Sequence, residues 1–227
     1  NMSHELRTPL FGILGYSELL SKEINDPDKR SMAEGIYRTG SRLLNTLSMI
    51  LDFARVESDR YEINYREVNI IPEIKEVFDA FKGIAAIKGL DYELKLHREM
   101  EMLFVDLSIL RVIVENLINN AIKFTEFGSV TVETDIEENN GKEIFLLRVR
   151  DTGIGINKKN IPVIFKEFKQ ISEGTNKAYP GTGLGLSITK KYIHILKGEI
   201  SVKTSEGFGS TFEVRLSKNE ILVRQSA

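Results

Sequence analysis

Apolar side chains repeat at helical spacing along the first sixty residues, in two blocks separated by a polar break. An ideal helix turns about 100° per residue, which gathers the apolar positions of the first block, Met2 to about Ile24, on one side. These positions are Leu6, Leu10, Ile13, Leu14, Leu20 and Ile24. The second block, from about Lys29 to Ser58, has its own stripe, which includes Met32, Ile36, Leu43, Leu47, Ile50 and Ala54. The break, Asn25-Asp26-Pro27-Asp28, consists of turn-forming residues.

Two helices joined by a short break predict an antiparallel helical hairpin. Each apolar stripe is wider than a single partner helix can cover. We therefore expect two copies of the chain to associate through their hairpins as a dimeric four-helix bundle.

A different pattern begins after the second helix, where helical segments alternate with short strand-like runs. The helical segments are Ile71–Lys88, Asp106–Thr125, Lys158–Phe165 and Gly183–Leu196. The strand-like runs are Tyr92–Leu96, Ser129–Glu137, Ile144–Asp151, Glu199–Thr204 and Ser210–Leu216. Glycine-containing turns after two of these runs indicate hairpins. The fold class predicted is α+β, with a hairpin domain at 1–62 and, at 63–227, an α/β sandwich whose sheet is covered on one face.

The composition of the chain excludes some classes of function but does not point to a particular one. The 227 residues include no cysteine, which excludes disulfides and thiolate metal sites, and the net charge of −2 gives no reason to expect a nucleic acid partner. No apolar run reaches the roughly 20 residues that span a bilayer. Because Asn1 already lies in a helical pattern, we expect a cytoplasmic fragment of a longer protein, compatible with a membrane-anchored parent.

Candidate chemistry appears first on the helix predicted at Asp106–Thr125. Asn116, Asn120 and Lys123 are spaced by four and three residues, so they share one helix face. Amide oxygens are hard ligands that suit Mg²⁺, and a lysine beside them suits polyphosphate. A solvated polar face on an ordinary helix explains the same spacing equally well.

Two glycine motifs follow. Asp151-Thr-Gly-Ile-Gly-Ile156 ends a predicted strand, where two glycines allow close backbone approach and the carboxylate can accept a hydrogen bond from a base. Gly181-Thr-Gly-Leu-Gly-Leu186 opens a helix, whose free N–H groups suit an anion. Each alone is also compatible with a plain turn. The second motif does not lie at a strand-to-helix turn, as the glycines of a dinucleotide fingerprint do, so a Rossmann interpretation fails. Between them lie Phe165-Lys-Glu-Phe168 and the polar segment 170–180, which has the composition of a mobile lid.

His4 lies opposite the apolar stripe of the first helix. With His4 set at 0°, the stripe occupies about 160–280°, so the imidazole is expected to face away from the bundle core. An exposed imidazole is largely neutral near neutral pH and has a nucleophilic ring nitrogen. Glu5 is adjacent and could take up the proton of the other ring nitrogen, although a plain surface charge is the open alternative. Pro9 removes a helical hydrogen bond and should bend the helix just past His4.

The order of these stretches along the chain resembles that of the sensor histidine kinases. His4-Glu5-Leu6-Arg7-Thr8-Pro9 is similar to their phosphoacceptor box. The four later stretches, 116–125, 151–156, 165–168 and 181–186, are similar to their asparagine, first glycine, phenylalanine and second glycine boxes.

The resemblance implies a dimerising, histidine-bearing hairpin and an ATP-binding domain of the histidine kinase and gyrase type. The implied reaction is autophosphorylation of a histidine by Mg²⁺-ATP, followed by transfer of the phosphoryl group to an aspartate of a response regulator. The implied partners are a second copy of the chain, a response regulator receiver domain and an upstream sensor region.

The resemblance also implies a role for individual residues. His4 is the implied nucleophile, Glu5 its proton acceptor, and Thr8 a residue that positions water for dephosphorylation of the regulator. The implied metal ligands are Asn120 and Asn116. The implied nucleotide-binding residues are Asn116, Asn120, Lys123, Phe124, Asp151, Gly153, Gly155, Ile156, Phe168, Lys177, Gly181, Thr182, Gly183, Leu184, Gly185 and Leu186.

Two alternatives share this ATP-binding fold. Water-splitting ATPases of the gyrase and MutL type place a glutamate four residues before the Mg²⁺ asparagine, but Asn116 stands there and Glu115 is about 100° away on the helix. An amide cannot act as a general base, so activation of water is disfavoured. A degenerate ATP-binding module would need a broken box, and none is broken. The one departure is Lys177, where such kinases often carry an arginine near the end of the lid.

Overall fold

The computed structural model describes residues 2–57, 63–139, 141–169 and 183–218. The chain divides into two compact units, Asn1–Tyr61 and Glu62–Ala227. No described helix combines the length and apolar content required to cross a bilayer.

The first unit is a helical hairpin of α1 (Met2–Glu23) and α2 (Pro27–Glu57). The second helix begins two residues earlier than the pattern predicts. The carboxylate of Asp26 accepts hydrogen bonds from the backbone N–H groups of Asp28 (3.0 Å) and Lys29 (3.2 Å), as an N-cap does. Pro27 therefore occupies the first helical position, where its missing N–H costs nothing.

The two helices of the hairpin meet at a small residue. A Cβ added to Gly40 of α2 would lie 2.9 Å from the Leu14 side chain of α1, so glycine is needed for this close approach. Leu14, Ser17 and Ala33 are buried in the single hairpin. Much of the predicted stripe stays on its surface, including Ile13, Leu20, Met32, Ile36, Leu43 and Ile50.

The described part of the second unit consists of a five-stranded sheet, a two-stranded sheet and packed helices. The strands are β1 (Arg66–Asn69), β2 (Asp91–Lys95), β3 (Met102–Val105), β4 (Ser129–Asn139), β5 (Lys142–Asp151), β6 (Glu199–Ser205) and β7 (Gly209–Ser217). The helices are α3 (Ile71–Ile87), α4 (Leu107–Phe124), α5 (Ile161–Ile164), which follows a 3₁₀ turn at Lys158–Asn160, and α6 (Gly185–Ile195). The larger sheet has the order β2-β4-β5-β7-β6.

The sheet topology has two features that the sequence pattern did not predict. Strands β1 and β3 were not predicted, and they pair antiparallel with each other in a separate small sheet. Strand β2 pairs parallel to β4, whereas the other pairs of the large sheet are antiparallel. The parallel pair is possible because β3 and α4 form a long crossover between its strands.

The two faces of the large sheet differ in chemistry. One face packs against α3, α4 and α6 and supplies fully buried side chains such as Val132 and Leu147. The opposite face carries an ion-pair network in which the Arg148 guanidinium contacts Glu213 (2.6 Å) and Glu133 (3.1 Å). The predicted α+β architecture, with a sheet covered on one face, is confirmed.

Candidate active site

Helix α4 carries the polar residues of the asparagine box. Asp106 caps its N-terminus, where the carboxylate accepts from the backbone N–H groups of Ser108 (3.0 Å) and Ile109 (3.3 Å). Asn116 and Asn120 follow one turn apart and are half-buried. Neither side-chain amide hydrogen-bonds to another residue in the described part of the chain, so both amide oxygens remain available to a ligand.

The end of α4 connects this helix to the first glycine box. The Lys123 ammonium lies 4.7 Å from the centre of the Phe124 ring. The Phe124 carbonyl accepts a hydrogen bond from the backbone N–H of Ile154 (3.2 Å). A Cβ on Gly153 would stand 2.2 Å from that same carbonyl oxygen, which requires glycine at this point.

Asp151 ends β5 and is 6% exposed. Its Oδ1 accepts hydrogen bonds from the backbone N–H groups of Gly153 (2.9 Å) and Ser210 (3.2 Å). Its Oδ2 accepts none from the residues that the structure describes. Burial raises the pKa of the Asp151 carboxyl, and the two backbone hydrogen bonds offset part of that rise. The site thus presents a buried carboxylate with one oxygen held by the fold and the other open.

The first glycine box is braced by the β6–β7 hairpin. Gly155 has φ +65, and a Cβ there would lie 2.0 Å from the Ser205 carbonyl oxygen. The backbone N–H of Ile156 donates to Thr204 Oγ1 (2.8 Å). Thr204 and the Ser210 amide could not be located from sequence because their contacts arise from strand pairing, in which Asp151 lies opposite Ser210.

The second glycine box lies against α4 and against the end of the phenylalanine box. A Cβ on Gly185 would be 3.6 Å from Oδ1 of Asn116. Gly183 has φ +73, and a Cβ there would be 2.9 Å from the carbonyl carbon of Phe168, whose ring is largely exposed. The Leu184 side chain is fully buried, while Leu186 is half-buried.

Several predicted site residues fall outside the described residues or side chains. Lys177, Gly181 and Thr182 lie outside the described residues, and of His4 and Glu5 only the helical backbone is described. Thr8 is exposed on α1. Pro9 lies inside this helix, which continues to Glu23.

The carboxylate of Glu115 takes part in an ion-pair cluster with α3. The Arg111 guanidinium lies 3.6 Å from the Glu115 carboxylate and 2.6 Å from the carboxylate of Glu76 on α3. Burial raises the pKa of the Glu115 carboxyl, while Arg111 opposes that rise. Glu115 therefore serves the packing of α3 on α4, as expected for a residue one position away from the asparagine face.

The described parts of the site form one connected arrangement. Helix α4, the loop after β5 and the start of α6 bring together amide oxygens, a cation, a buried carboxylate and closely packed glycines. A carboxylate oxygen can accept from an exocyclic amino group, amide oxygens can bind a hard cation, and glycine backbone admits phosphate. This donor set fits a nucleotide whose base has an exocyclic amino group, together with a hard divalent cation.

Two family models match the chain. Residues 1–59 match the "His Kinase A (phospho-acceptor) domain". Residues 105–220 match the "Histidine kinase-, DNA gyrase B-, and HSP90-like ATPase" family, which covers just over half of the chain.

Curated relatives agree with these models. The chain is 37% identical over 216 residues to the autoinducer 2 sensor kinase/phosphatase LuxQ of Vibrio vulnificus, covering 93% of the chain and 25% of the relative. It is 33% identical over 219 residues to the sensor histidine kinase GacS of Pseudomonas protegens, covering 96% of the chain and 24% of that relative. The chain thus spans about a quarter of the length of the curated relatives it matches.

Solved structures are similar over nearly the whole chain. Full-length ShkA in complex with AMPPNP superposes with a TM-score of 0.76 at 29% identity, covering 95% of this chain and 44% of that one. The histidine kinase AdeS of Acinetobacter baumannii shares the fold, with a TM-score of 0.64 at 23% identity over 96% of this chain and 98% of its own.

Proposed function

Because this chain belongs to the sensor histidine kinases, we propose that it transfers the γ-phosphoryl group of ATP to His4. The phosphoryl group then passes to an aspartate of a response regulator. The observation that carries the proposal is Asp151, a buried carboxylate with one oxygen held by backbone amides and the other open. The proposed domains are the phosphoacceptor hairpin, 1–62, and the ATP-binding domain, 63–227.

The open oxygen of Asp151 accepts a hydrogen bond from the adenine amino group in this proposal. Gly153, Gly155 and Ile156 line the base pocket, with the ring of Phe124 at its edge. Lys123 faces the phosphates. The phosphates are held by backbone from Gly181 to Leu186, as the segment 170–180, which contains Lys177 and lies just after Phe168, closes over them.

Mg²⁺ would be held by Asn120 and Asn116, whose amide oxygens suit a hard cation. When bound, the ion neutralises charge that develops on the phosphate oxygens. The residues of this chain contribute the rest of catalysis: they orient the nucleotide, keep water out of the base pocket and provide the acceptor histidine.

In the phosphotransfer step, a neutral ring nitrogen of His4 attacks the γ-phosphorus. A nitrogen–phosphorus bond forms as the bond to the β-phosphate oxygen breaks, and ADP leaves with that electron pair. Glu5 takes up the proton of the other ring nitrogen. Hydrolysis is disfavoured because Asn116 stands where a general base would be needed and Glu115 is paired with Arg111.

A second activity, dephosphorylation of the regulator, is favoured by the position of Thr8. This exposed residue lies one helical turn from His4, where its hydroxyl can orient water toward a phosphoaspartate. The relative LuxQ is named as both kinase and phosphatase. We infer the same pair of activities here.

Self-association through the hairpin is expected to give a homodimer. The apolar residues left on its surface include Met32, which is 69% exposed, and Leu43, which is 57% exposed. Exposed apolar surface of this kind is removed from water when two hairpins pack as four helices. Light scattering should give twice the mass of the chain, and replacing both residues by Glu should give a monomer. A wild-type monomer at micromolar concentration contradicts this assembly.

The curated relatives extend well beyond the region that matches this chain, and we propose two further features on that basis and on the chemistry of the reaction. A sensor region outside this chain supplies the signal, and the present portion works in the cytoplasm, where ATP and the receiver domain of a response regulator are available.

The reaction is tested by incubating the chain with γ-labelled ATP and Mg²⁺. Label should be retained on the protein, survive alkali and be lost in acid, as a phosphohistidine requires. Alkali-labile or acid-stable label would contradict histidine as the acceptor. Release of free phosphate without any labelled protein would support the ATPase alternative.

A further inference from the structure

Lys88 follows the last residue of α3 and reaches across to the C-terminus of α4. Its ammonium donates hydrogen bonds to three backbone carbonyls, those of Ile122 (2.6 Å), Thr125 (3.1 Å) and Lys123 (3.3 Å). One side chain from a neighbouring helix thus caps the helix that carries the asparagine box.

The carbonyls at the end of α4 have no partners within the helix, as at any helix C-terminus. The Ala121 carbonyl accepts from Thr125 Oγ1 (2.7 Å), and the Phe124 carbonyl accepts from the Ile154 amide (3.2 Å). The other three carbonyls in this turn are those that bind Lys88. A cation is also favourable there because the helix dipole has its negative end at the C-terminus.

This turn is the part of α4 that connects to the proposed nucleotide site. It carries Lys123 and Phe124, and its last helical carbonyl fixes the loop of Gly153 and Ile154. The tight contact at Gly153, where a Cβ would be 2.2 Å from the Phe124 oxygen, leaves little tolerance for movement of this carbonyl.

We propose that Lys88 is a positioning residue for nucleotide binding, acting through the last turn of α4 rather than by touching the nucleotide. The proposal rests on the proposed function, because it assumes that nucleotide binds between α4 and the loop after β5. Loss of the ammonium frees the turn, which then shifts Lys123, Phe124 and the attached glycine loop.

The test compares ADP affinity by calorimetry for wild type, Lys88→Met and Lys88→Arg. Methionine keeps most of the aliphatic stem but removes all three hydrogen bonds, so the Kd should rise about tenfold. Arginine restores a charged donor and should keep the Kd within about threefold of wild type. In autophosphorylation, Lys88→Met should raise the KM for ATP by a similar factor and change kcat by less than about threefold.

Lys82→Met is the matched control, since Lys82 lies on α3, six residues before Lys88, and pairs only with Asp79 (2.7 Å) and the Phe78 ring among described residues. It should leave the Kd unchanged. Hydrogen exchange separates positioning from general destabilisation. In Lys88→Met, exchange should accelerate at the Ile154 amide and over 122–125 but not in β4 or β7.

Three outcomes overturn the role of Lys88: an unchanged Kd in Lys88→Met, an equal rise in Lys82→Met, or faster exchange throughout the domain. Lys88→Gln, whose uncharged side chain is one atom shorter and cannot serve the three carbonyls, is measured in parallel in case the methionine variant does not fold. It should also raise the Kd, and a wild-type Kd for it is equally contradictory. Failure of the proposed function is distinct, since the wild-type protein would then bind no ADP.

Discussion

Replacing Asp151 by asparagine is expected to weaken ATP binding severely without destabilising the protein. The two side chains have the same shape, so the substitution tests one atom. Oδ1 must continue to accept from the Gly153 and Ser210 amides, because the nitrogen of an asparagine side chain cannot accept a hydrogen bond. The new NH₂ group therefore replaces Oδ2 on the open side.

The amide donor of Asp151→Asn then faces the adenine amino group, which is also a donor. Two opposed, desolvated donors replace one hydrogen bond, and sites built around such a bond discriminate strongly against its loss. The Kd for ATP should rise by at least about 100-fold. Calorimetry with ATP and Mg²⁺ measures it, with Asp91→Asn on exposed β2 as the matched control.

The thermal stability of Asp151→Asn without nucleotide should not fall with its ATP affinity. Burial raises the pKa of Asp151 above its unfolded value, so the folded state disfavours the ionised form. At neutral pH the carboxylate is ionised in the unfolded chain, and folding desolvates that charge at a cost. Asparagine removes the cost, and thermal unfolding without nucleotide should show an unchanged or higher midpoint. A large drop in the midpoint together with lost binding would assign Asp151 a structural role.

Replacing His4 by glutamine is expected to eliminate phosphorylation while leaving ATP affinity within about twofold of wild type. Glutamine retains polarity and helix propensity but has no nucleophilic ring nitrogen. His4→Gln should therefore bind ATP normally without becoming labelled, whereas Asp151→Asn should fail at the binding step. His97→Gln, in the second unit, is the control and should label normally. Undiminished label in His4→Gln would contradict the assignment of the acceptor.

The long periodic segments of the fold were predictable from sequence, whereas the short strands were not. Helices α3 and α4 have enough turns for their apolar face to appear in the pattern. Strands β1 and β3 have four residues each, too few for an alternation to be distinguished from a loop. The pairing of β2 with β4 depends on a crossover and leaves no local signature in either strand.

The candidate site shows the same division. Its motifs could be located from glycine and asparagine spacing, because close approach and a shared helix face follow from local geometry. The open oxygen of Asp151 could not be predicted, since it depends on the Ser210 amide supplied by β7. The Lys88 cap was missed for the same reason, as the lysine and its carbonyl partners lie 34 to 37 positions apart.

The central claim is that ATP bound at Asp151 supplies a phosphoryl group to His4. Mass spectrometry of the wild-type chain after incubation with ATP and Mg²⁺, with digestion and fragmentation kept alkaline, tests it most directly. One phosphoryl group is expected on His4, and none on Asp151→Asn treated in the same way. Phosphate located on any other residue, or consumption of ATP with no phosphorylated peptide, would contradict it.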